Sequence, residues 1–292
     1  MMRFSLLSKI QMAMMAALLA LLTVVVVRDA GAQTAPTRII SVGGSVTEIV
    51  YALGQEHRLV ARDTTSNFPV EARALPDVGY VRRLSPEGLL SVEPDMILAE
   101  EGAGPPETFE VLAGTGLPVV SIPMGYDLLA VERKIRAVAN ALDVEDAGVE
   151  LATQVAADVA EASQLAGLRD QKVLFVLSMQ GGRIMAAGAD TAAQGVLELA
   201  GAQNAISGFQ GYKLVSDEAV LTAAPDVILM MQSHRPGATK PADVLAHPVV
   251  AATPAGRAQA VLQMDGMLLL GFSVRTGQAV SELAAGLAAA GS

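Results

Sequence analysis

Residues 84–98, LSPEGLLSVEPDMIL, and residues 215–229, VSDEAVLTAAPDVIL, are two copies of one pattern, and their register decides the fold. Ser85 matches Ser216, Glu87 matches Glu218, Leu90 matches Leu221, Pro94-Asp95 matches Pro225-Asp226, and Ile97-Leu98 matches Ile228-Leu229. In each copy the serine is placed to cap a helix. The acid two residues later stands in the first turn and faces the positive end of the helix dipole. Pro-Asp stops the helix, and the apolar run after it has the character of a buried strand. A short helix feeding a buried strand is a parallel α/β unit. One such unit in each half of the chain predicts two similar, Rossmann-like lobes.

The start of each half agrees. RIISVGG, from Arg38, is a strand running into Ser45-Val46-Thr47-Glu48, which has the form of a capping box opening a helix that Gly54 would stop. QKVLFVLSMQ, from Gln171, is the matching buried strand of the second half. Between them, residues 143–168 are rich in alanine, carry apolar Leu151, Val155, Val159 and Ala162 at helical spacing, and reach Gly167 as a terminator. That is one helix of roughly 20 residues, ~30 Å long. The expected organisation is an N-terminal lobe over 37–142, a linking helix over 143–168 and a C-terminal lobe over 169–292. Each lobe has a parallel sheet, and a ligand cleft lies between them. A single doubly wound domain is the alternative, and it would make this helix unusually long for a crossover.

The first 32 residues carry Arg3 and Lys9, then a largely apolar run from Met12 to Val27, then Ala30-Gly31-Ala32. This is the pattern of a secretory signal peptide cleaved after Ala32; the apolar run is short for a membrane span. The chain has no cysteine, which excludes disulfides and a lipid-bearing N-terminal cysteine. A free protein of an oxidising exported compartment, most simply a periplasm, is expected. Removing the leader takes the formal charge from −10 to −12, which argues against nucleic acid or an anionic membrane surface as partner.

A second coincidence precedes each capped helix: Gly79-Tyr80 in the first half and Gly211-Tyr212 in the second. Both tyrosines are expected at the same edge of their lobes, where two-lobed α/β proteins bind ligands. For any single tyrosine, a half-buried packing role is the commoner one.

The strings TSNFP, LPDVGYVRRLSPEGLLSVEPDMILAEEGAGPP, GLPVVSIP, LAGAQNAISGFQGYKLVSDEAVLTAAPDVIL and MDGMLLLGFSVRT together resemble the periplasmic haem-binding proteins of bacterial haem ABC importers. The resemblance runs from about Arg38 to the C-terminal helix. It implies capture of haem b in the cleft by a monomer and delivery to an inner-membrane ABC permease dimer with its ATPase. By position, Tyr80 matches the family's axial ligand to haem iron. A phenol titrates near ~10 and needs help to coordinate as the anion; ferric iron and a nearby guanidinium provide it. Arg82 matches the motif's arginine, for a propionate or the phenolate, while Arg83 falls outside the motif. Arg235, in QSHRPGATK, is a basic candidate from the other lobe. His234 beside it is a possible second axial ligand, with five-coordinate iron on Tyr80 alone as the default. Tyr212 is a further cleft candidate. One acid from each lobe, Glu87 and Glu218, is implied in docking to the permease; as first-turn acids they also need no other explanation.

Other functions have weaker signals. A serine hydrolase would use Gly43-Gly44-Ser45 as its nucleophile elbow, but that motif needs glycine two residues after the serine and Thr47 is there. A zinc or manganese carrier would need converging ligands, whereas His57, His234 and His247 are scattered. Cobalamin and ferric-siderophore carriers share the fold; the absence of tryptophan and the presence of Tyr80 with Arg82 favour haem.

Overall fold

The computed structural model describes residues 35–168, 170–232 and 238–290. The expected leader with its Ala32 cleavage site lies outside the described residues, as do His234 and Arg235. Among the described residues the strands run β1 (Ile39–Val42), β2 (Leu59–Arg62), β3 (Gly79–Tyr80), β4 (Arg83–Leu84), β5 (Met96–Glu100), β6 (Val119–Ile122), β7 (Lys172–Gln180), β8 (Arg183–Ala187), β9 (Gln203–Asn204), β10 (Tyr212–Leu214), β11 (Val227–Met231) and β12 (Val261–Met264).

β2-β1-β5-β6 form a four-stranded sheet in which every pair is parallel. The second sheet, β10-β8-β7-β11-β12 with β9 on β7, is mixed. Its β7, β11 and β12 are parallel, but β8 runs antiparallel to β7 and to β10. The reversal is made by Gly181-Gly182, a two-residue turn with φ of 58° and 78° at its two positions, which suits the primed turns of tight hairpins.

Alternation along the strands covers both faces of each sheet. Ile39 and Leu98 point one way, and Ile40, Val42, Ile97 and Ala99 the other. In the second sheet Val173, Phe175, Val227 and Leu229 oppose Leu174, Val176, Ile228 and Met230. The cluster holding Ile39 and Leu98 continues through Val155 and Val159 of the helix Glu145–Ala166 to Phe175 and Leu229. One apolar body therefore joins both sheets through that helix, and large relative motion would expose it to water. The helix packs on Leu128–Ala141 and Thr276–Ala290. Gly148 makes the first contact possible, since a Cβ there would stand 2.2 Å from Ala139 Cβ.

The two copies of the repeat share their cap, the positive-φ residue before the proline and the aspartate clamp, although the first helix spans Pro86–Leu90 and the second Asp217–Ala223. Ser85 accepts from Gly88 N–H at 3.1 Å and Ser216 from Ala219 N–H at 3.2 Å. Glu93 and Ala224, each before its proline, have φ of 48° and 45°. Asp95 takes Thr37 and Arg38 N–H at 2.8 and 3.0 Å, and Asp226 takes Lys172 N–H at 2.9 Å. Each aspartate thus fastens the start of the first strand in its own half.

The expected capping box at Ser45-Val46-Thr47-Glu48 is not formed. The helix begins at Gly44, with Gly43 at φ 106° as its cap and no side-chain cap bond. This helix start is buried, and a buried polar side chain must find a strong partner. Ser45 donates to Glu100 Oε1 at 2.9 Å, and Thr47 shares hydrogen bonds with Ser41 and Ser66. Glu48 turns inward to Ser273 and Arg275.

Candidate functional site

A cavity of about 710 Å³ opens at the carboxyl ends of strands from both sheets. It takes Glu100 from the end of β5, Val176 to Met179 from β7, Met230 and Met231 from β11, and Thr64, Thr65 and Asn67 from the loop after β2. Loops at the carboxyl ends of parallel strands are where α/β sheets bind ligands.

Tyr80 enters it on the β3–β4 hairpin. Val81 and Leu84 are buried and root the hairpin, while Tyr80 stays 45% exposed. Gly79, at φ 108°, donates to Asp77 Oδ1 at 2.9 Å, and its carbonyl accepts from Thr64 N–H at 2.9 Å. On the far side Leu84 N–H reaches Gly104 O and Gly104 N–H reaches Val81 O, both at 2.9 Å. The phenol is thereby carried on a short ribbon clamped on two sides. Arg82, at the turn, lines the same cavity and donates to the Gly102 carbonyl. Its planar fork has further N–H groups for an anion.

Tyr212 also lines the cavity, but in a different state. It pairs with Ala187 in the sheet and meets Phe175 edge-on at 6.2 Å. Burial pushes its phenol up to about 12, against hydrogen bonds with Ala193 and Thr191 that favour the anion. A phenol held neutral is a wall rather than an anionic ligand. The sequence equated the two tyrosines; burial separates them.

Several lining groups escaped the sequence reading. Met124, Met179, Met230, Met231 and Met267 all face the cavity. Thioethers are polarizable and adaptable, suited to a large flat apolar ligand. A signal existed: SIPM, VLSM and ILMM each place methionine where an apolar strand ends. Tyr126 lines it too, stacked edge-on to Phe272 at 5.7 Å, its phenol raised by burial and by Glu100.

Behind the cavity, two buried polar links tie the halves together. Lys134, almost wholly buried, donates to Glu100 Oε1 at 3.2 Å, Ser45 Oγ at 3.1 Å and Gly271 O at 3.3 Å. Arg275 grips both Glu48 carboxylate oxygens with the Nε–Nη2 edge of its guanidinium, the Nε bond being 3.0 Å, and its Cζ lies 3.8 Å from the centre of the Phe68 ring. Neither His57 nor His247 lines the cavity; His247 hydrogen-bonds the Gly182 carbonyl at 2.8 Å. Among the described residues no three His, Asp or Glu side chains converge as a metal cluster. Glu87 and Glu218 are both exposed in the first turns of their helices, outside the cavity.

The family model described as periplasmic binding protein matches residues 39–267. This chain belongs to the periplasmic binding protein family. Among solved structures, a periplasmic haem-binding protein in complex with two haems is 41% identical, covers 87% of this chain and 98% of its own, and superposes with a TM-score of 0.81. The apo periplasmic haem-binding protein of Roseiflexus sp. RS-1 is 36% identical, with 87% and 99% covered and a TM-score of 0.83. An uncharacterized ABC transporter substrate-binding lipoprotein of Bacillus subtilis is 25% identical over 207 residues, 69% of this chain and 66% of its own. A vitamin B12-binding protein of Yersinia pestis is 36% identical over 97 residues, 33% of this chain and 35% of its own. The match thus spans just under two thirds of the first of these two relatives and about a third of the second. The family and these two solved neighbours are binding proteins by name.

Proposed function

We propose that this chain is the haem-capturing component of an ABC importer. The observation that carries the reading is the half-exposed phenol of Tyr80, held on a clamped hairpin at a cavity whose walls combine apolar and thioether groups from both sheets with polar groups such as Thr65, Glu100 and Gln232. Tyr80 is the axial ligand of ferric haem b, five-coordinate at iron from the protein side, and phenolate favours the ferric state. Arg82 keeps its bond to Gly102 and offers its remaining N–H groups to a propionate or to the phenolate. Tyr212 forms a neutral wall, and Arg235 supplies a second cation from the opposite half. Glu87 and Glu218 dock a permease dimer that works with its ATPase. The mature, exported monomer begins after Ala32 and acts in the periplasm.

Cobalamin is the second reading, favoured by the match to the Yersinia vitamin B12-binding protein. Titrating the mature protein with hemin separates the two. A saturable Soret band with Tyr80→Phe abolishing the phenolate charge-transfer signature is expected; unchanged hemin spectra together with cobalamin binding would overturn the haem assignment.

A further inference from the structure

Nearly every residue shared by the two copies of the repeat has a task inside its own half. Ser85 and Ser216 cap, Asp95 and Asp226 fasten the first strands, and Ile97, Leu98, Ile228 and Leu229 are wholly buried. Leu89 and Val220 anchor the two short helices in the core. Leu90 and Leu221 do none of this: they are 38% and 48% exposed. Each lies three residues after the exposed acid of its helix, Glu87 or Glu218, and residues three apart share a helix face. Single exposed leucines are ordinary on protein surfaces. The same leucine beside the same acid, once in each half, is not accounted for by capping, dipole or packing.

We infer that Glu87 with Leu90 and Glu218 with Leu221 are two equivalent contact patches for one protein partner built from two symmetry-related copies. Each copy of that partner offers a basic side chain beside an apolar recess. The inference rests on the permease docking proposed above and extends it from the acids to the leucines. The acids set the sign of the partner and speed encounter, while the leucines, desolvated on contact, hold the complex. A membrane surface does not fit, because each leucine is flanked by a carboxylate and the chain is net acidic.

The test uses mature protein, hemin and the permease–ATPase complex of its own importer in lipid nanodiscs. Leu90→Ser and Leu221→Ser should each weaken docking about tenfold and together about a hundredfold, chiefly through faster dissociation. Hemin affinity and melting temperature should stay at wild-type values. Docking of the double variant within twofold of wild type overturns the inference while leaving hemin capture standing, as does a wild-type protein that binds hemin but never docks. A wild-type homodimer that the double variant dissolves also overturns it, by making the partner a second copy of this chain. Docking that is lost in the double variant of a protein that fails to bind hemin supports the patches and overturns the cargo instead.

Discussion

Replacing Arg275 by methionine tests whether the two halves are held together by the Glu48 link. The Glu48 side chain is 2% exposed and that of Arg275 15%, so the pair is shielded from solvent. Methionine keeps much of the stem's packing but leaves Glu48 with the Ser273 hydroxyl as its remaining partner. Stranding one member of a buried ion pair costs about 3–5 kcal/mol. Losing the guanidinium from the Phe68 face adds about 0.5–1 kcal/mol. For a chain of this size such a loss lowers Tm by about 10 °C. The second half of the test is the double variant Glu48→Gln/Arg275→Met, which removes the stranded charge and should recover most of the stability, a non-additive cycle of about 2 kcal/mol or more. Chemical denaturation of all four proteins measures it. A loss below about 1 kcal/mol in Arg275→Met, or no recovery in the double variant, would refute the reasoning.

Three further outcomes are expected. Tyr212, raised to about 12, holds its proton more tightly folded than unfolded, so its contribution is complete below pH 10 and disappears between about pH 10 and 12; Tyr212→Phe should flatten stability across that interval, followed by circular dichroism. Gly195→Ala places a Cβ 2.0 Å from the Tyr126 carbonyl, and although alanine gains about 1 kcal/mol of helix propensity, a backbone clash costs about 1–3 kcal/mol or more, so a net loss and a shifted Tyr126 fluorescence are expected. Charge reversal at both Glu87 and Glu218 should abolish haem uptake by whole cells with hemin affinity unchanged in vitro, and undiminished uptake would remove their docking role.

The serine, proline and aspartate of the repeat act within a few residues or on the adjoining strand, so their place at the helix ends was legible in sequence, as were the apolar runs that form the buried strands. Tyr80 was legible as a loop tyrosine ahead of a capped helix. Its difference from Tyr212 was not, because burial is a property of what packs against a residue and not of its neighbours in the chain. The capping motif at Ser45 to Glu48 misled for the same reason: its form is that of an exposed helix start, and this one is buried.

By itself, then, the sequence determined two α/β halves and the helix between them, since local propensity and periodicity are sufficient for each; the hairpin that carries Tyr80 emerged only in the structure. Only the tertiary structure decided which methionines meet in the cleft, that Tyr212 packs into the sheet while Tyr80 stays exposed, and that Glu48 finds Arg275 across 227 residues of chain. Pairings of that separation are chosen by the shape of the assembled core, where a charge without a partner is too costly to leave, and no spacing along the chain encodes them.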